Sequence, residues 1–141
     1  MQIGIDTTRA TESKLVFVLD SDEITPAALA FMLQDHYETH ELSDVEQLLA
    51  QGAQGRPDLI LLGLPVVHTH GMVVLDILTG SNPQAKIILV ADAFDDCLAQ
   101  PCLQAGASGL LVKPLAVESV RRKVDRILGR RTVVTIPVMA V

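Results

Sequence analysis

The chain has no tryptophan, one tyrosine and three phenylalanines, so aromatic residues make up only 3% of its 141 positions. A surface that stacks nucleic-acid bases needs more rings than that. The core has to come from Leu, Val, Ile and Ala, which supply most of the 49% hydrophobic content. Basic charge is also short: 11 Lys and Arg stand against 17 Asp and Glu, a net charge of -6 with a pI near 5.0. That balance repels phosphate backbones and anionic lipid. The one basic cluster, Arg121, Arg122, Lys123, Arg126, Arg130 and Arg131, reads as a solvated helix face. There are two cysteines, Cys97 and Cys102, without CxxC spacing. They read as packing residues in a reducing compartment rather than as a disulfide framework. No apolar run reaches the ~18 residues of a membrane span, and the opening MQIGIDTTRATESK lacks the charged-then-apolar pattern of a secretion signal. The expectation is a cytoplasmic protein with no nucleic-acid and no membrane partner.

What is present is a repeating order. Short apolar runs recur as KLVFVL (14–19), LILL (59–62), KIILV (86–90) and GLLV (109–112), each continuous rather than alternating, as strands covered on both faces are. A weaker strand, YETHEL, fits at 37–42. Helical spacing fills the gaps. TPAALAFMLQDHY starts with Thr25 as N-cap and Pro26 at the first helical position, and sets Ala28, Leu29, Met32 and Leu33 on one face. SDVEQLLAQG opens like a capping box with Ser43 and Glu46 and stops at Gly52. GMVVLDILTG lies between Gly71 and Gly80, and DDCLAQPCLQAG is a short helix interrupted by Pro101 and ended by Gly106. AVESVRRKVDRILG places Val117, Val120, Val124, Ile127 and Leu128 on one stripe. Five β-α units with right-handed crossovers predict an α/β fold, a three-layer, doubly wound, parallel five-stranded sheet. The expected boundaries are a flexible arm at 1–13, one domain at 14–129, and a tail at 130–141, apolar and β-prone.

VLDSDE after the first strand and AGASGLLVKPL at 105–115, set in five βα units, resemble the receiver domain of bacterial two-component response regulators over about residues 14–129. The resemblance implies a flavodoxin-like (βα)5 fold in which an aspartate ending the third strand accepts a phosphoryl group. It further implies that acids after the first strand hold Mg²⁺, that a Thr or Ser ends the fourth strand and that a Lys ends the fifth. A carboxylate can attack phosphorus only when the surrounding negative charge is neutralised, which Mg²⁺ and Lys do together. On this pattern Asp20 matches the first acid, and Lys113 with Pro114 the Lys-Pro pair. The other positions depart from it. Ser21 stands for the metal-ligating acid, with Asp22 beside it; Gly63 stands at the phospho-acceptor, Ala91 at the switch hydroxyl and Leu110 at the switch aromatic. Gly71 keeps the register of the loop glycine, while Val67 replaces the loop proline. This implies a degenerate pseudo-receiver whose residual acidic pocket is Asp20, Asp22 and Lys113. The expectation is that Lys113 pairs with Asp20 and also with Asp22, and that Mg²⁺ binds weakly through Asp20 and Asp22 or not at all, so that no cofactor is required.

LVFVLDSDEIT also resembles the first motif of haloacid-dehalogenase-type phosphatases, which implies Asp20 as nucleophile and Asp22 as general acid of a Mg²⁺-dependent enzyme. Ile24 stands where that motif has Thr or Val, and ADAFDD, with Asp92, Asp95 and Asp96, precedes rather than follows Lys113. His68 and His70 flank Thr69 in an H-x-H pair of the kind that ligates zinc or copper; with no third ligand nearby in the sequence, they read as exposed loop residues. His36 and His40 read as surface residues around the junction of the first helix and second strand. DSDEITP is too acidic to cradle a flavin phosphate. Asp92 reads as the start of a loop that caps the following helix, with a place in the pocket as the alternative.

The function this implies is a signal-transduction module of the phosphorelay type, not an enzyme, that works by protein-protein contact. Only residues 130–141 follow the last helix, so output by docking is expected, to a histidine kinase, to another regulator, or as a homodimer. The expected surface is the face made by the Pro101 helix, Leu110 in the fifth strand and the charged side of the last helix around Arg121, Arg122 and Asp125, or else the 130–141 tail added to a sheet edge.

Overall fold

The computed structural model describes residues 14–129, so the 1–13 arm and the 130–141 tail, with Arg130 and Arg131, lie outside the described residues. The elements run β1 (Lys14–Leu19), α1 (Ile24–Leu33), β2 (Tyr37–Leu42), α2 (Val45–Gly55), β3 (Leu59–Gly63), α3 (Leu64–His70), α4 (Val73–Ser81), β4 (Lys86–Ala91), α5 (Ala99–Gln104), β5 (Gly109–Val112) and α6 (Val117–Ile127). The strands form one sheet in the order β2-β1-β3-β4-β5, every neighbouring pair parallel. This is the expected flavodoxin-like, doubly wound α/β architecture.

Strand side chains alternate between two buried faces, which is why the apolar runs are continuous. Phe17, Leu19, Ile60, Leu62, Ile87 and Leu89 join Leu48, Val67, Leu75, Leu78 and Cys102 of α2 to α5 on one side. Val16, Val18, Leu59, Leu61, Ile88 and Val90 join Leu29 and Leu33 of α1 and Val120 and Val124 of α6 on the other. Tyr37 adds a tie across the second face, its hydroxyl donating to the Asp125 carboxylate.

Several local expectations change. The segment after Gly63 is not a loop but α3, with Pro65 in its first turn, where a missing backbone N–H costs nothing. The first helix begins at Ile24, ahead of Thr25; Asp22 does the capping, its Oδ1 accepting from Thr25 N at 2.7 Å and its Oδ2 from Thr25 Oγ1 at 3.2 Å. At α2 the cap is Asp44, which accepts from Gln47 N at 2.7 Å, while Gln47 Oε1 accepts from Ser43 N. The box is thus shifted by one residue from Ser43 and Glu46. Pro101 sits in the first turn of α5 and does not interrupt it. Gly106, at φ 119°, ends that segment as read. On α6 Val120 and Val124 are buried and Ile127 and Leu128 pack against the same core, so the stripe holds except at Val117, which is exposed.

Candidate functional site

Open parallel sheets place their chemistry outside the carboxyl ends of the strands. At that edge Leu19 pairs with Leu62, Gly63 with Val90 and Ala91 with Val112. Asp20, one residue past β1, therefore lies beside Gly63, the last residue of β3, while Lys113, one residue past β5, follows Val112 beside Ala91. The strand register alone gathers four of the positions singled out in the sequence.

The Asp20 side chain packs directly over Gly63. A Cβ placed on Gly63 would lie 2.2 Å from Asp20 Cγ and 2.3 Å from each carboxylate oxygen. The carboxylate is folded over the glycine and fills the volume that any larger side chain at 63 would need. Asp20 is 5% exposed. Its Oδ1 accepts from Ser21 N at 2.6 Å, while its Oδ2 is buried with no hydrogen-bond partner among the described residues. Burial pushes the Asp20 carboxyl above the usual carboxylate range, aided by the charges of Asp22 and Asp92 and opposed by the Ser21 N–H and by Lys113.

Lys113 does not form the expected ion pair with Asp20. Its Nζ lies 3.0 Å from Asp92 Oδ1 and 3.9 Å from Asp22 Oδ2. Burial depresses its pKa, but the Asp92 contact and the charges of Asp20 and Asp22 outweigh this and hold the ammonium above its ordinary value. Asp92 therefore enters the site instead of capping the following helix; that turn is made by Asp96, whose Oδ1 accepts from Leu98 N at 2.9 Å. The reason is reach: Asp20 leans across β3 onto Gly63, whereas Asp92 directly follows the strand that pairs with β5. Asp22, held by the Thr25 N–H first and by the Thr25 hydroxyl and Lys113 besides, has its carboxyl below the usual range despite some burial.

The remaining positions are simply placed. Ser21 is exposed; Ala91 ends β4 fully buried and offers no hydroxyl; Leu110 is half-buried in β5. The Lys113-Pro114 peptide bond is cis. On α6, Arg121 turns inward: its Nε donates to Met32 O at 3.1 Å and its Nη2 lies 3.4 Å from Asp35 Oδ2. Arg122, Lys123 and Arg126 instead line a groove with Leu110, Pro114 and Leu115. The described part of the basic cluster is thus a structural tie at Arg121 and an exposed groove wall at Arg122 and Arg126.

A five-stranded parallel sheet in 2-1-3-4-5 order, with acids after its first strand and a Lys-Pro pair after its fifth, defines a receiver-type α/β module. The chain belongs to the response regulator receiver domain family, whose pattern matches residues 16–125, and so to the modules of two-component signal transduction. It is 22% identical over 112 residues to the transcriptional regulatory protein LnrK of Bacillus subtilis (strain 168), covering 77% of this chain and 51% of that protein. It is 26% identical over 124 residues to the probable transcriptional regulatory protein TcrX of Mycobacterium tuberculosis (strain ATCC 25618 / H37Rv), covering 86% and 52%. The chain spans about half the length of these two curated relatives. In three dimensions it is similar to a response regulator from Thermotoga maritima, with a TM-score of 0.76 at 18% identity over 83% of this chain and 98% of that one. Among the described residues no helix is long and apolar enough to cross a membrane.

Proposed function

We propose that this receiver domain is not phosphorylated at the family's usual position and acts by protein-protein contact. The observation that carries the reading is the Asp20 carboxylate lying over Gly63. The third strand supplies no nucleophile at its end, and the space above it is already filled by a side chain from the first strand.

The surroundings support the same reading. Mg²⁺ favours octahedral oxygen coordination, usually one or two carboxylates completed by water and phosphate. Here the unpaired Asp20 oxygen is buried, both Asp22 oxygens are engaged by Thr25, and Lys113 stands close to Asp22 as a competing cation. That donor set does not suit the ion. The phosphatase reading fares no better. A general acid needs a raised pKa and a nucleophilic carboxylate a low one, whereas Asp22 is shifted down and Asp20 up.

Contact then falls to surfaces. A histidine kinase or another regulator is the partner class that the family implies. The groove of β5 and α6 between Leu110 and the cations Arg122, Lys123 and Arg126 is the proposed surface, either for such a partner or for a second copy of the chain. The deciding experiment is incubation with acetyl phosphate and Mg²⁺ followed by intact-mass measurement. The mass is expected to stay unchanged; gain of one phosphoryl group overturns the reading.

A further inference from the structure

The H-x-H pair plays no part in the site above, and the fold changes its surroundings. His68 is in the last turn of α3, and the β4–α5 loop brings Asp96 and Cys97 beside it. His68 Nε2 lies 2.9 Å from Asp96 Oδ1 and 3.0 Å from Oδ2. One ligand atom from each of His68, Asp96 and Cys97 falls within 4.8 Å of the others. We propose that these three side chains form a zinc-type site, binding one divalent transition-metal ion with an imidazole, a carboxylate and a thiolate and leaving the fourth position to water.

The argument rests on donor chemistry and distance. Nitrogen, carboxylate oxygen and thiolate sulfur are the three ligand types zinc takes, and three protein ligands with one open position is an ordinary zinc arrangement. Tetrahedral zinc with bonds of about 2.0–2.3 Å holds its ligand atoms about 3.2–3.7 Å apart, so the His68–Asp96 pair has to open by only a few tenths of an ångström. The side chains that must move are on the surface: His68 and Cys97 are exposed, and Asp96 is partly so. Asp96 is already oriented, since the Leu98 N–H holds its Oδ1 while both carboxylate oxygens face the histidine. Binding converts the Cys97 thiol to a zinc thiolate and releases its proton to solvent, so carboxylate and thiolate together balance the dication. The ion would join α3, which leaves β3 at Gly63, to the loop that leaves β4 at Ala91, fastening two segments at the rim of the carboxyl edge.

The test is calorimetric titration of the full chain with Zn²⁺ under a non-thiol reductant, alongside Co²⁺ as an optical probe. One saturable equivalent with a micromolar dissociation constant is expected, and Co²⁺ should show a thiolate charge-transfer band. His68→Ala, Asp96→Asn and Cys97→Ser should each weaken binding at least about tenfold, the size of loss seen even for residues that only support a ligand. His70→Ala, next but one on the same helix, should leave affinity unchanged. Absence of the thiolate band on the unmodified chain, which depends on no variant folding, overturns the proposal. So does non-saturable binding, or equal weakening by His70→Ala and His68→Ala.

Discussion

The middle of the sheet and its carboxyl edge lie one residue apart on the same strands, yet they are built on opposite terms. Along β3, Leu59, Ile60, Leu61 and Leu62 are each 0% exposed and meet apolar neighbours on both faces. One residue further on, Gly63 faces a buried carboxylate with an unpaired oxygen, and three more charged groups, Asp22, Asp92 and Lys113, stand around it. Burying a carboxylate without full pairing costs stability, whereas burying leucine contributes it. A fold that keeps such an edge intact relies on the strands beneath it, and the contrast can be probed from either side.

The largest effect is expected in the middle. Ile60→Ala, in β3 between Phe17 and Ile87, should destabilise the domain by about 2–5 kcal/mol in urea unfolding, through lost burial plus the cavity left behind. A loss well under 1 kcal/mol would mean that the core is not the rigid partner in this comparison. At the edge, Gly63→Ala should cost about 1–3 kcal/mol, the range for overpacking. The cause is isolated by the backbone: Gly63 has φ -69° and ψ 134°, a conformation any residue adopts, so the glycine is required not by its backbone but by the side chain over it, whose nearest atoms are those of Asp20. In an Asp20→Ala background the same substitution should be nearly free, giving a coupling of about 0.5–3 kcal/mol in the double-mutant cycle. Additive costs would show that the carboxylate does not occupy that volume.

The same contrast explains what was legible in the chain. The sheet could be read because its signal is local and redundant: each strand is a short apolar run, and even YETHEL, polar in its middle, buries Tyr37 and Leu42 at its ends. Helix α3 was missed because Gly63, Pro65 and three β-branched residues, Val66, Val67 and Thr69, punctuate the segment like a turn, although proline in a first helical turn lacks only a donor that would have had no partner. That Asp20, Gly63, Ala91 and Lys113 share one edge could be read from their positions at the strand ends, and so could the approach of Lys113 to Asp22, but the preference of Lys113 for Asp92 over Asp20 could not. Which acid holds Lys113 depends on side-chain reach across neighbouring strands, and Asp92 differs from Asp20 only in that. His68 and Asp96 are 28 positions apart, and no spacing in the sequence announces that they meet.

The smallest effect separates the charge of Asp20 from its shape. Asp20→Asn keeps the volume over Gly63 and an acceptor for the Ser21 N–H while removing the ionisation. Burial raises the Asp20 carboxyl above its ordinary value of 3.8, so between that value and its folded pKa the native state holds a proton that the unfolded chain has released. The contribution of Asp20 to stability is therefore fully present below the unfolded pKa and is lost as pH rises through the folded one. Asp22 and Asp96, whose carboxyls are held low, change in the opposite sense: their contributions are present above the ordinary value and are lost as pH falls through their folded pKa. Asp96 is common to both chains and cancels in the difference, while the repulsion between Asp22 and Asp20 is relieved in the variant as both ionise, which acts in the same direction. Urea unfolding of the wild type and Asp20→Asn at about pH 4 and about pH 7 should show the variant gaining on the wild type toward neutrality. A difference that stays constant with pH would mean that the Asp20 carboxylate is solvated or paired in solution. The edge would then be as well satisfied as the sheet below it.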